Sequence, residues 1–149
     1  MPTNISANLV GSVVTVTTAN AIANNAYAVA ADKMTLDWAS TNGLLVNFTL
    51  NVTFGAAPTA GTIQLIAVDW SLDTTPIVGP APLSSLLGRL VGSFTPQPST
   101  GNASTSWRMS LNDIRLNNKT DYYLFNNGTG QSLSASSVLK AQVWTPGNP

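Results

Sequence analysis

Residues 44–54 carry the most regular pattern in the chain, an alternation of apolar and polar side chains. The apolar side chains occupy every second position: Leu44, Val46, Phe48, Leu50, Val52 and Phe54. From position 47 onward the residues between them are Asn or Thr. A period of two is that of a β-strand and differs from the 3.6-residue period of a helix. The pattern therefore predicts a strand whose Phe48, Leu50 and Val52 face a core, as in an antiparallel sandwich.

Eight further segments predict strands, at residues 9–17, 26–30, 34–38, 62–70, 86–95, 105–112, 121–126 and 137–145. The segments between them are rich in Gly, Pro and Asn, which favour turns. Short strands with turns at intervals of about ten residues predict an all-β fold, an antiparallel two-sheet β-sandwich of jelly-roll or related Greek-key topology. Residues 82–90 are also compatible with one turn of helix, although a strand from about residue 87 is preferred.

The first 24 residues differ from the rest because they carry no charged side chain and consist almost entirely of small, β-branched and amide residues. We expect an extended N-terminal arm over 1–24 and a single β-sandwich domain over 25–149. Apolar β-branched residues are costly to leave in water, so the arm is expected to dock on a sheet edge of its own sandwich or of a neighbouring subunit; a partly disordered tail is the alternative. Its apolar residues are the predicted assembly contacts: Ile5, Leu9, Val10, Val13, Val14 and Val16.

Composition narrows the possible functions. Charged residues make up 8% of the chain, and six basic and six acidic groups give a formal net charge of zero. No footprint for nucleic acid or for an anionic membrane is therefore predicted. The chain has no His, no Cys and no Glu, which removes disulfides, thiolate metal sites and the usual catalytic bases. With no signal-peptide pattern and no long apolar run, the chain is expected to be soluble and not exported.

Two residue groups could carry chemistry. Asp69 and Asp73 flank Trp70, and paired carboxylates beside an aromatic ring occur in glycoside hydrolysis and in calcium binding. Too few other oxygen ligands lie nearby, so Asp73 is more simply interpreted as the cap of a turn. The four tryptophans, Trp38, Trp70, Trp107 and Trp144, could form a platform for sugars, but each lies near the end of a predicted strand, where closing a core or an interface is the commoner role.

No motif for catalysis or for a cofactor is present. A Ser-His-Asp arrangement needs a histidine, and the chain has no G-x-S-x-G sequence. The Gly-containing segment at 127–130 has no predicted helix after it that would present amides to a phosphate, and it is interpreted as a hairpin turn. The sequence therefore predicts no catalytic residues, no cofactor and no metal site.

A succession of segments resembles small virion proteins of tailed bacteriophages. The segments are GTIQLIAVDWSLDTT, LLGRLVGSFT, SWRMSLNDIRL, DYYLFNNGTGQSLSAS and LKAQVWT, within residues 45–145. Their outline is a strand ending in Ser-x-Asp, a strand with a Val-Gly-x-Phe turn, and a late strand running into Asn-x-Gly or Asn-x-x-Gly. The chain departs from the outline at Thr74 and Thr75, where relatives often have Gly after the Asp. The resemblance implies a jelly-roll-like sandwich that serves as a capsid cement or decoration protein, or as a tail or neck component.

Composition and resemblance together favour an interaction protein over an enzyme. Low charge, here with many Thr, Asn, Ser and Ala residues, favours a surface that lies against other proteins over large areas, because interface cores are depleted of charged residues. The expected partners are the major capsid protein or other virion structural subunits, with further copies of the chain in a homo-oligomer, and the expected location is the virion, assembled in the host cytoplasm. Two other classes stay open: a carbohydrate-binding module, which needs an exposed tryptophan in a groove, and a lytic enzyme, which needs a cleft with converging aspartates.

Overall fold

The structure is a computed structural model that describes residues 7–38, 43–70, 88–96, 104–114 and 119–146. Within these ranges it contains nine β-strands and one short 3-10 helix. The strands are β1 (Ala7–Thr17), β2 (Ala26–Tyr27), β3 (Met34–Asp37), β4 (Leu45–Thr53), β5 (Thr62–Asp69), β6 (Arg89–Phe94), β7 (Ser104–Ile114), β8 (Lys119–Asn127) and β9 (Val138–Pro146). The 3-10 helix spans Ala30–Asp32, between β2 and β3.

The strands form two antiparallel sheets. The first sheet has the order β1-β9-β4-β7, and in the second β8 pairs with β5, which pairs with β6, while β2 and β3 both pair with the other side of β8. The predicted all-β, two-sheet sandwich is confirmed. Every predicted strand overlaps an observed one, although the observed strand within 26–30, β2, is only two residues long. Of the segment interpreted as a possible helical turn, residues 82–87 lie outside the described residues, and a strand begins at Arg89.

The core lies between the sheets and confirms the predicted alternation. Phe48, Leu50 and Val52 of β4 are all at most 4% exposed, and Asn47, Thr49 and Asn51 lie on the opposite face of the strand. The second sheet contributes Ile63, Leu65 and Ala67 from β5 with Tyr122 and Leu124 from β8, among others. The rings of Phe48 and Tyr122 meet across the core, with their centroids 4.7 Å apart. One apolar layer therefore joins the two sheets.

The N-terminal residues take part in this sandwich. β1 pairs with β9 from Ala7 opposite Pro146 to Thr17 opposite Val138, with an irregularity between Val10 and Val14. Ile22, which the sequence places in the arm, is a core residue at 2% exposed and forms a β-bridge with Leu133. Residues 7–17 of the predicted arm therefore dock on their own sandwich, where they form the edge strand of the first sheet. The division into an arm of 1–24 and a domain of 25–149 stays a prediction.

Gly61 fixes the turn that leads into β5. Its φ of +72° is in the left-handed region, and a Cβ atom there would lie 2.3 Å from the carbonyl oxygen of Asn127. Only glycine accommodates both this backbone angle and the close approach of the backbone at the end of β8. In the part of the chain that the structure describes, no helix is long and apolar enough to span a membrane.

Candidate assembly surfaces

The predicted assembly contacts do not form one surface. Leu9 and Val10 lie on β1 opposite Trp144 and Val143, whereas Ile5 lies outside the described residues. Val14 and Val16 are partly buried and pack against the core. Val13, at the irregularity of β1, is 47% exposed. Of the six residues, Val13 is therefore the one that the structure shows to be available to a partner.

The outer face of the first sheet is almost uncharged over β1, β9 and β4. Its cross-strand rows place Asn47 beside Gln142, Thr49 beside Lys140, and Asn51 beside Val138. Thr15 and Thr17 of β1 extend the last two rows and are exposed. Among the described side chains of this face on β1, β9 and β4, Lys140 carries the single charge. Leu44, 45% exposed, adds an apolar position just before β4.

One end of the sandwich, called here the uncharged end, is formed by the loops 18–25, 54–61 and 128–137. None of these loops contains a charged residue, and their exposed residues are Ala, Asn, Ser, Thr and Gly. The loops are joined to each other by backbone hydrogen bonds, such as Thr18 N–H to Ser137 O at 2.9 Å and Thr59 N–H to Thr129 O at 3.0 Å. The end therefore combines a small, neutral surface with a fixed backbone.

Two buried side chains hold this end from inside. Asn126, fully buried, donates through Nδ2 to the carbonyl oxygens of Ile22 and Gln131 and accepts a bond from Thr129 Oγ1. Asp32 accepts the backbone N–H groups of Ala19 and Asn20. Burial raises the pKa of Asp32, but these hydrogen bonds to the carboxylate outweigh it and the pKa is lower than its ordinary value.

The opposite end, called here the charged end, contains an ion-pair network that crosses between the sheets. Arg89 of β6 forms two hydrogen bonds to Asp113 of β7, the longer at 3.1 Å, and lies 3.6 Å from Asp69. Tyr122 of β8 donates its hydroxyl to Asp113 at 2.9 Å. Hydrogen bonding to Asp113 raises the pKa of Arg89, and burial, followed by the Asp113 charge, raises the pKa of Tyr122.

The network continues to the core tryptophan. Thr120 Oγ1 donates to Asp69 Oδ1 at 2.9 Å and accepts the indole N–H of Trp38 at 3.0 Å. Trp38 and Thr120 are both at most 1% exposed. Each of the two carboxylates of this network, Asp69 and Asp113, therefore accepts a hydrogen bond from another strand, and the network links the strands to each other.

The outer face of the second sheet carries a second charged group close to the same end. Asp121, 1% exposed, accepts a bond from Lys33 Nζ at 2.7 Å and another from Thr35 Oγ1. The ammonium groups of Lys33 and Lys119 lie 5.8 and 5.1 Å from the ring of Trp70, within the range of a cation–π contact. Lys119 also lies 3.7 Å from Asp37.

The pair of Asp69 and Asp73 considered from the sequence lies only partly within the described residues. Asp69 is bonded to Thr120, and Asp73 lies outside the described residues. Among the residues that the structure describes, no three acidic groups cluster as metal ligands. Trp38 is fully buried, and Trp70 and Trp144 are half-buried. Trp107 lies on β7 opposite Leu50.

Sequence reasoning missed the network of Arg89, Asp113 and Tyr122. A signal for it is present, since Asp113 continues the period-two series of Trp107, Met109 and Leu111 and so falls on the apolar side of β7. A charged residue in such a series predicts a buried charge that needs a partner. No family model, curated protein or solved structure matches this chain.

Proposed function

We propose that this protein is a non-enzymatic structural protein of a bacteriophage virion, and specifically a capsid cement or decoration protein that stabilises the shell through protein–protein contacts. The observation that carries the proposal is the separation of charge. The ion pairs described above lie at or near the charged end, whereas the uncharged end and, apart from Lys140, the described outer face of the first sheet present uncharged side chains.

A surface of this kind suits close contact with another protein. Small residues such as Ala and Gly lose little conformational freedom when they are covered, and a surface with few charges lowers the cost of desolvating charged groups. The core of a protein interface is likewise depleted of charged residues. Many copies on a symmetric shell let contacts that are weak one by one act together.

The pairing of the strands supports a jelly roll as the finer description of the sandwich. β5 pairs with β6, β4 with β7, β2 and β3 with β8, and β1 with β9, so the two halves of the chain pair in nested order. With β2 and β3 counted as one interrupted strand, this gives four strands in each sheet, as in jelly rolls, a fold that occurs in viral capsid proteins. The support from the fold is an analogy, and it agrees with the sequence resemblance to phage virion proteins.

The proposed partners are the major capsid protein or other virion structural subunits. A tail or head–tail neck component is the alternative, and copy number separates the two. A mass-spectrometric inventory of purified particles should find the protein at a copy number comparable to that of the major capsid protein. A few copies per particle would instead support the neck or tail, and absence from the particles would overturn the proposal.

The surface itself is tested by adding a charge to it. Asn51→Asp on the outer face of the first sheet and Ala56→Asp at the uncharged end both change exposed residues. We expect both variants to fold as the native chain does and to bind weakly to particles that lack the protein. Ser93→Asp, exposed on the second sheet, is the matched control and should bind normally. Equal binding by all three variants would show that attachment uses another surface.

A further inference from the structure

The four sheet edges differ in how well they are protected against pairing with another chain. β7 contains Arg108 and Asp113, β6 contains Arg89, and β3 contains Asp37 and directly follows Lys33. Charged residues on an edge strand oppose pairing with a further strand. β1 has no charged residue along its 11 residues, and within the described part of the chain it pairs with β9 alone.

The C-terminal half of β1 has its hydrogen-bonding groups in a regular arrangement. Val14 to Thr17 pair in unbroken register with β9, and Thr18 donates its N–H to Ser137 on that side. Because N–H groups alternate in direction along a strand, those of Thr15 and Thr17 point to the open side. The register with β9 shifts between Val10 and Val14, so regular pairing on this side is limited to the last residues of the strand, with Val13 at the limit of the segment whose exposure alternates.

We propose that two copies of this chain pair through the open edge of β1, antiparallel and centred on Thr15. In this register Thr15 lies opposite Thr15 of the second copy, and Thr17 lies opposite Val13. Val14 and Val16, which pack on the core, come to lie opposite each other across the new contact. The two four-stranded sheets become one sheet of eight strands. The proposal concerns the chain on its own and does not depend on the role in a virion.

A second copy fits this edge because the edge is complementary to itself. The outward groups of Thr15 in each copy can exchange both hydrogen bonds, and threonines directly opposite each other are a favourable cross-strand pair. The nearest charges are the two Lys140 side chains, each opposite Thr15 in its own β9. Three strand spacings, about 14 Å, separate them, which is beyond the screening length of about 8 Å in physiological salt. Since the described part of each copy has one such edge, pairing closes at a dimer.

Single cysteines test the register directly, because the chain has no cysteine of its own. A hydrogen-bonded antiparallel pair has its Cα atoms about 5.5 Å apart, within the range that a disulfide spans. Thr15→Cys should therefore cross-link into dimers of about 31 kDa, twice the 15.5 kDa of one chain, under mild oxidation. Asn51→Cys, exposed but on the inner strand β4, is the control for random collision and should stay monomeric on a denaturing gel.

The offset positions sharpen the test. In this register the two copies of Val13 lie four residues apart along the strands, about 13 Å, and so do the two copies of Thr17. Val13→Cys and Thr17→Cys should therefore each cross-link poorly alone. They should cross-link to each other when the two variants are mixed. Thr15→Lys places two like charges opposite each other and should shift the free protein to monomer in analytical ultracentrifugation.

Cross-linking of Thr15→Cys no faster than that of Asn51→Cys would overturn the proposal. Faster cross-linking of Thr17→Cys alone than of Thr15→Cys would overturn the register. Cross-linking of Thr15→Cys only to another protein in assembled particles would overturn the dimer, because a strand of a different subunit would then occupy the edge.

Discussion

The charged end and the uncharged end of the sandwich are stabilised by different kinds of interaction. At the charged end Arg89 binds Asp113 and lies close to Asp69, which joins β6 to both sheets. At the uncharged end Asn126 and Thr129 fix the loops through amide and hydroxyl bonds to the backbone. A loop surface can thus be held in place without ion pairs, provided that the polar groups are buried beneath it. The comparison explains how a neutral surface and a fixed backbone occur together.

The largest expected effect comes from removing one side of the uncharged end. A chain that begins at Asn25 lacks β1, the core residue Ile22 and the N–H groups that bind Asp32. We expect it to lose cooperative thermal unfolding, measured by circular dichroism. A cooperative transition close to that of the full chain would show that residues 25–149 are a separate domain. It would also show that the loop 18–25 does not help to stabilise the uncharged end.

Breaking the ion pair at the charged end should have the next largest effect. Arg89→Met removes the guanidinium that binds Asp113, which is 4% exposed, and should lower the free energy of unfolding by about 3 kcal/mol. Chemical denaturation measures the change. Adding Asp113→Leu to Arg89→Met should recover much of the loss, because the buried charge is then gone. A double variant no better than the single one would show that the pair is not the source of stability.

The matching change at the uncharged end is Asn126→Leu. It removes the donors to Ile22 and Gln131 and the acceptor for Thr129, all in a buried site. We expect a loss of about 2 kcal/mol, since each unsatisfied buried group is costly. Asn127→Leu, one residue further and half-buried, is the control and should change stability by less than about 0.5 kcal/mol. Equal effects of the two substitutions would contradict the role given to Asn126.

The two ends should also respond to opposite extremes of pH. The pKa of Asp32 is lowered on folding, so its contribution is present above the unfolded value of about 3.9 and is lost as the pH falls below it. The pKa of Tyr122 is raised, so its contribution is present below about 10 and is lost as the pH rises further. Asp32→Asn should flatten the acid side of the stability curve, and Tyr122→Phe the alkaline side.

Burial also raises the pKa of Tyr123, so Tyr123→Phe is the control on the alkaline side. It should flatten that side less than Tyr122→Phe does, because Tyr123 is half-buried and Tyr122 is 1% exposed. The reverse order would place the alkaline sensitivity on the outer face of the second sheet instead of in the charged end.

The smallest effect is expected at the surface of the charged end. Lys119→Met breaks the 3.7 Å pair with Asp37 and the contact with the Trp70 ring, all at half-exposed positions. Such surface pairs contribute about 0–1 kcal/mol and are weakened by salt. Denaturation at low and high salt should show a small loss only at low salt. A loss as large as that of Arg89→Met would mean that exposed pairs also hold this end together.

Much of the fold was predictable because each strand carries its own local pattern. The alternation through Phe48, Leu50 and Val52 indicates both a strand and its inward face, and Gly61 and Gly128 mark turns at strand ends. The buried state of Asp113 was also readable from the apolar series on β7. These features depend on neighbours within a few residues, which a single sequence displays.

The pairing between distant segments was not predictable in the same way. Arg89 and Asp113 are 24 residues apart, and no periodicity relates them. Ile22 lies among Ala and Asn residues with no alternation, so its place in the core depends on the bridge to Leu133. The sequence of β1 suits the edge of its own sheet and that of a neighbour equally well, because an edge is recognised through the backbone.

The position of β9 has a consequence for the order in which the chain folds during synthesis. β9 lies between β1 and β4, with Val16 opposite Leu139 on one side and Leu50 opposite Leu139 on the other. Among the described strands of its sheet, β1 therefore has no partner until residues 138–146 have been made. Pairings over such long separations form slowly, in milliseconds to seconds for β-sandwiches. The first sheet is thus completed late, and until then the chain has both β1 and one side of β4 exposed to other chains on the same polysome.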